Sequence, residues 1–356
     1  MPGSKDGGSP AISTIVQFQR APDATRSDVR PIDVIGVAGA GAWGVALANA
    51  AAAAGREVIL WGRNDAGIRA IATTRRSDRL PGVDLALAVE TTSDLARLGR
   101  CDAILVATPA QSSREIAMRL ATTPGSAPLV TCAKGIERGT RAFMTEVLAE
   151  AAPDRLRAIL SGPSFAADVA AGLPTAVTLA STDEALARAL CDALRGPTLR
   201  LYHSTDVRGV EIGGAAKNVL AIACGVTAGR GLGASAIAAL TARGFAELRR
   251  FGEAFGARGA TLMGLSGLGD LVLTCSSPQS RNFAFGLALG RGASLAEAGR
   301  ESLAEGRFTA LALTELARER GVEMPIADCV QGLIEGSLDV KAAVSALLAR
   351  PQRGEE

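Results

Sequence analysis

The chain has 356 residues, 48% hydrophobic and 21% charged, which excludes a disordered polyelectrolyte and allows a sizeable core. A net charge of +2 and 3% aromatic residues give neither the basic field of a nucleic-acid or anionic-membrane binder nor the stacking platform of a single-strand binder. The length predicts roughly two domains.

Residues 1–30 carry Gly, Ser, Pro, Asp and Arg without the apolar run of a signal peptide, and are expected to form a disordered tail. From Pro31 short apolar runs alternate with helix-like stretches. Strands are predicted at 32–37, 57–61, 86–90, 102–107, 128–132, 158–160, 176–180 and 198–202. Helices are predicted at 43–54, 65–74, 110–120 and 141–151. The runs AILVA and EVILW are apolar throughout, as in strands buried on both faces. This alternation predicts an α/β fold, a Rossmann-like doubly wound parallel sheet with helices on both faces. After about His203 the strand signals stop. The Ala-, Leu- and Gly-rich remainder has helical spacing, so the expected division is a nucleotide-binding domain over 31–205 and an all-α substrate domain over 206–350. No apolar stretch reaches the roughly 18 residues of a membrane helix.

The six cysteines, Cys101, Cys132, Cys191, Cys224, Cys275 and Cys329, form no Cys-x-x-Cys pair, which suits a reduced, cytoplasmic protein. The only histidine, His203, argues against a histidine-based zinc site and a Ser-His-Asp triad, and no metal is expected.

Gly39-Ala40-Gly41-Ala42-Trp43-Gly44 is a G-x-G-x-x-G between the first strand and the first helix. Gly39 permits the tight turn, Gly41 lets the backbone approach a pyrophosphate, and Gly44 permits close packing of helix and strand. The amides of Ala42, Trp43 and Gly44 then face the anion. The second strand ends in Trp61-Gly62-Arg63-Asn64 rather than in a carboxylate for the ribose 2′-hydroxyl. Arg63 is suited to a 2′-phosphate, which favours NADP over NAD, or dual use of the two.

Four further stretches occur in order: CAKGIE (132–137), LSGPSFAADVAAGLPT (160–175), EIGGAAKNVLAIACG (211–225) and GLSGLGDLVLTCSSPQSRN (264–282). With GAGAWG they resemble the bacterial-type NAD(P)-dependent glycerol-3-phosphate dehydrogenases over roughly residues 31–345. The resemblance implies hydride transfer between NAD(P)H and dihydroxyacetone phosphate, giving sn-glycerol 3-phosphate for glycerophospholipid synthesis. It also implies a homodimer, with no nucleic acid and no membrane insertion. Lys217 is implied as the general acid/base. Lys134, Gly162, Ser164, Asp270, Ser280, Arg281 and Asn282 are implied at the substrate. Lys134, Ala166, Arg281, Leu303 and Glu305 are implied at the cofactor. Two rival readings are a hydroxy-acid or ketopantoate-type dehydrogenase of the same architecture, and a dinucleotide sensor without turnover.

Overall fold

The computed structural model describes residues 31–300 and 304–349. The expected tail and Leu303 lie outside the described residues. Eight strands form one sheet: β1 Val34–Ala38, β2 Glu57–Trp61, β3 Val89–Thr92, β4 Ala103–Val106, β5 Leu129–Thr131, β6 Arg157–Ser161, β7 Thr175–Ala180 and β8 Leu199–Ser204. Between them run α1 Ala42–Ala53, α2 Asp65–Thr74, α3 Ser113–Ala121, α4 Met144–Ala151, α5 Ala166–Ala170 and α6 Glu184–Leu194. Beyond the sheet come α7 Val207–Gly229, α8 Ala234–Ala254, α9 Gly259–Leu262, α10 Asp270–Ser276, α11 Arg281–Gly290, α12 Leu295–Ala298, α13 Gly306–Glu319, α14 Pro325–Glu335 and α15 Val340–Leu348. No strand follows Ser204 among the described residues.

The strand order is β3-β2-β1-β4-β5-β6-β7-β8. The chain reverses direction across the sheet between β1 and β4, which opens a crevice beyond their carboxyl ends. The expectation of a parallel sheet needs correction at one place. β6 and β7 pair antiparallel, with Ser161 opposite Thr178, while β8 is again parallel to β7. The connection from β6 to β7 holds only the short α5, so the chain doubles back instead of crossing over.

Smaller shifts have local causes. The helix expected from Arg141 begins at Met144, because the chain first closes a turn in which Arg141 N–H donates to the Glu137 carbonyl at 3.0 Å. The helix expected from Ala110 opens with a 3₁₀ turn and becomes α-helical at Ser113. The strand expected at 86–90 lies at Val89–Thr92.

Helix α7 begins where Asp206 caps it, its carboxylate accepting the Gly209 amide at 2.9 Å. Its buried residues include Glu211, Lys217 and Asn218. The sequence reading found no membrane-length apolar segment, yet α7, with 23 residues, is long and apolar enough by length and composition. It is instead the central rod of the helical unit, with 89% of its most apolar 18-residue stretch buried. One helix crossing depends on two missing side chains. A Cβ on Gly225 would stand 2.1 Å from the Phe283 carbonyl oxygen, and one on Gly286 would stand 2.1 Å from that of Ile222. Helices α7 and α11 therefore touch backbone to backbone. All six cysteines are buried and none is in a disulfide.

Candidate active site

The carboxyl ends of the mutually parallel strands β1, β4, β5 and β6 share one edge of the sheet. The turn after β1 is shaped by contact distances. Gly39 takes φ +127°, and a Cβ there would stand 2.8 Å from the Ala107 carbonyl oxygen beyond β4. A Cβ on Gly44 would stand 1.7 Å from the carbonyl oxygen of Gly39, so this glycine lets the turn close on itself rather than on the strand. A Cβ on Gly41 would meet nothing within 4 Å. Gly41 begins α1 without a side-chain cap, which leaves the amides of Ala42, Trp43 and Gly44 for an anion. The buried Trp43 Nε1 also has no hydrogen-bond partner among the described residues. An open backbone, uncapped amides and an orphan donor beside the crevice fit a dinucleotide.

Arg63 is exposed just past β2 and makes no ion pair or side-chain hydrogen bond with another of the described residues. Asp65 is not at the ribose position of a strand end. It is the first residue of α2, where it accepts from Ser93 Oγ at 2.7 Å and pairs with Arg69. Glu305 lies across the crevice, partly buried, and accepts the Ala110 amide at 3.1 Å. Burial raises its pKa, although the Ala110 amide and Arg281 favour the anion.

Lys134 follows β5 and Lys217 sits midway along α7. They donate to opposite oxygens of Asp270: Lys134 Nζ to Oδ2 at 2.8 Å and Lys217 Nζ to Oδ1 at 2.5 Å. The Asp270 side chain is 1% exposed, that of Lys217 7% and that of Lys134 16%. Gly214 makes this meeting possible, since a Cβ there would stand 2.7 Å from Ser161 Oγ and 3.4 Å from Lys134 Cγ. Burial alone would raise the pKa of Asp270, but the two ammonium groups outweigh it and hold it below the usual value. Burial pushes Lys217 down to about 8, and repulsion by Lys134 adds to the shift while Asp270 opposes it.

An ammonium has three N–H donors. Two on Lys217 are taken, by Asp270 and by Thr274 Oγ1 at 2.8 Å, so one remains for a reacting oxygen. Thr274 is not among the residues expected at the site. Its signal was the spacing of four from Asp270, which puts both on one face of α10. Lys134 also donates to the Gly162 carbonyl at 2.8 Å, which receives Ser164 Oγ at 3.0 Å as well. Gly162 takes φ +148°, and a Cβ there would press on Val177 Cα at 2.9 Å. Ala166 opens α5 three residues after Pro163.

The serine, arginine and asparagine of the SRN motif have unlike positions. Ser280 is the N-cap of α11, its Oγ accepting the Phe283 amide at 3.2 Å. Arg281 is exposed in the first turn. Asn282 is buried, and its side chain is engaged at both ends, donating to Asn218 and accepting from Gly306. One of the two amide hydrogens of Asn282 remains for a further acceptor. His203 lies exposed on β8, away from this cluster.

A dinucleotide cradle facing a buried, tunable amine is what hydride transfer to a carbonyl requires, and it defines the class as a nicotinamide-dependent dehydrogenase. The comparisons narrow the class. The N-terminal part of NAD-dependent glycerol-3-phosphate dehydrogenases matches residues 34–187 and the C-terminal part matches residues 206–345. A relative called glycerol-3-phosphate dehydrogenase [NAD(P)+], from Bradyrhizobium sp. (strain ORS 278), is 63% identical over 325 residues, covering 90% of this chain and 98% of that one. One of the same name from Azorhizobium caulinodans is 61% identical, covering 91% and 98%. The crystal structure of glycerol-3-phosphate dehydrogenase from Coxiella burnetii superposes with a TM-score of 0.85 at 37% identity, covering 90% of this chain and 99% of that one. The chain belongs to the NAD-dependent glycerol-3-phosphate dehydrogenase family.

Proposed function

We propose that the chain interconverts dihydroxyacetone phosphate and sn-glycerol 3-phosphate, with a nucleotide-binding domain over 31–205 and a substrate domain over 206–350. The observation that carries the reading is the pairing of Lys217 and Lys134 on one buried carboxylate at the edge of the dinucleotide crevice. Bound in the cradle of Gly39–Gly44, the nicotinamide cofactor supplies or accepts the hydride at C2 of the substrate. Arg63 stands ready for a 2′-phosphate, which favours NADP, while Ala166, Leu303, Glu305 and Arg281 complete the cofactor contacts.

Lys217 moves the proton. In reduction its ammonium gives the spare proton to the developing alkoxide, and in oxidation the neutral amine removes the proton of the C2 hydroxyl. Asp270 and Thr274 fix the direction of that Nζ. Lys134 orients substrate oxygens beside Gly162 and Ser164. Ser280, Arg281 and the first amides of α11 hold the phosphate, the guanidinium fork meeting two of its oxygens. We also assign a homodimer, a cytoplasmic location and service in glycerophospholipid synthesis, on the strength of the family.

The test is an assay of the purified protein with dihydroxyacetone phosphate and, in separate reactions, NADPH and NADH. Faster oxidation of NADPH supports the reaction and the role of Arg63. Preference for NADH keeps the reaction and removes that role. Turnover of a hydroxy or keto acid without turnover of the triose phosphate would overturn the reading.

A further inference from the structure

Asn218 and Asn282 touch neither Asp270 nor the ammonium of Lys217, yet they form the middle of a hydrogen-bonded chain whose direction is fixed at both ends. The Gly306 amide donates to Asn282 Oδ1 at 2.9 Å. Asn282 Nδ2 donates to Asn218 Oδ1 at 2.8 Å, and Asn218 Nδ2 donates to the Lys134 carbonyl at 2.8 Å. A backbone amide only donates and a carbonyl only accepts, so turning either side chain over would break the chain. The neighbour of Gly306 is Glu305, whose carboxylate accepts the Ala110 amide at 3.1 Å. The chain of bonds passes through α13, α11, α7 and the loop after β5. Both asparagines are buried, at 5% and 7% exposure. Gly306 fits only as glycine, because a Cβ there would stand 2.5 Å from the Asn218 carbonyl oxygen.

We propose that Asn218 and Asn282 are positioning residues that couple the two halves of the site. Through them the Lys134 loop and the helix bearing Lys217 are held in register with Glu305, so that binding of the dinucleotide and of the phosphorylated substrate are energetically linked. This rests on the reading above, in which Glu305 faces the cofactor. Buried polar networks lose most when one member is left unsatisfied, and every link of this one is made.

The test uses Asn282→Asp in the full chain. An ionised carboxylate accepts only, so its second oxygen would oppose Asn218 Oδ1. A protonated carboxyl restores the donor, and burial against an acceptor favours that neutral form. The dissociation constant of NADPH is measured by its fluorescence with and without saturating sn-glycerol 3-phosphate, at about pH 6 and about pH 8.5, values on either side of the range in which a buried carboxyl titrates. Wild type is measured in parallel, because the charged groups of the site, Lys134, Lys217, Asp270, Arg281 and Glu305, are present in both proteins. In wild type each ligand should tighten the other by about fivefold or more. The variant should lose this linkage at the higher pH and regain it at the lower, with its melting temperature little changed.

Absence of linkage in wild type, linkage in the variant equal to wild type at both pH values, or a loss independent of pH that follows a falling melting temperature would each overturn the proposal. If Asn282→Asp does not fold, Asn218→Asp gives the same test, its second oxygen then opposing the Lys134 carbonyl. Wild-type turnover of dihydroxyacetone phosphate separates the two levels. No turnover overturns the functional reading and the coupling with it, whereas turnover without the pH-dependent loss overturns the coupling alone.

Discussion

Lys217 and Asp270 meet at 2.5 Å between side chains that water hardly reaches, and they stand 53 residues apart in the chain. An ion pair this buried would normally fix its lysine as a permanent cation. Here the carboxylate is divided between two ammonium groups, so its pull on Lys217 is weaker than burial, and the amine stays within reach of neutrality.

Replacing Lys217 by alanine should remove the proton-transfer group and spare the dinucleotide cradle. The turnover number should fall by about 10²–10⁴, the usual worth of general acid–base catalysis, while NADPH affinity stays close to wild type. Steady-state kinetics with a fluorescence titration of NADPH decide the matter. Near-normal turnover would remove Lys217 from its role.

The pH dependence has opposite signs in the two directions. With Lys217 titrating at about 8, oxidation of sn-glycerol 3-phosphate needs the neutral amine, so its rate should rise with pH and level off above that value. Reduction needs the ammonium and should decline over the same range. Asn in place of Asp270 removes the group that favours the ammonium, so both profiles should move to lower pH. Profiles that move upward would contradict this electrostatic account.

Arg63→Ala should raise the KM for NADPH by about tenfold, the equivalent of roughly 1.4 kcal/mol from a charge-assisted contact, and leave that for NADH unchanged. An equal effect on both cofactors would detach Arg63 from the 2′-phosphate.

Arg281→Ala should chiefly raise the KM for the phosphorylated substrate, with a smaller effect on turnover. Gly286→Ala should do so indirectly. Its methyl group would meet the Ile222 carbonyl, driving α11 from α7 and displacing Arg281 at the start of α11. Overpacking of this kind costs about 1–3 kcal/mol or more, so a lower melting temperature should accompany the KM change. An unaltered melting temperature would mean that the two helices separate more easily than their backbone contact suggests.

The central strands were legible because burial on both faces leaves an uninterrupted apolar code, as in β2 and β4. The reversed β7 was not, since apolar patterning records which face is buried and carries no strand direction. At the site, ordered motifs singled out Lys134, Lys217 and Asp270. Their convergence on one carboxylate is a product of the tertiary fold and of the space left by Gly214. Asn282 illustrates the converse. In the run beside Ser280 and Arg281 it reads as a ligand, and the sequence gives no sign of its bonds to Asn218 and Gly306. Asn218 had a signal that was not used, an amide within an apolar stretch, which demands partners once the helix is buried.

The burial of α7 gives the protein an order of assembly. Its 23 residues are complete long before α10, α11, α13 and α14, which cover it, leave the ribosome. During that interval the apolar rod has only the sheet and α8 to pack against, and such a nascent chain is a substrate for chaperones. Lys217 is meanwhile hydrated, with the acidity of any lysine in water. The proton affinity that suits it to catalysis arrives only when the later helices expel the solvent, so the nascent chain carries the lysine before it carries the acid.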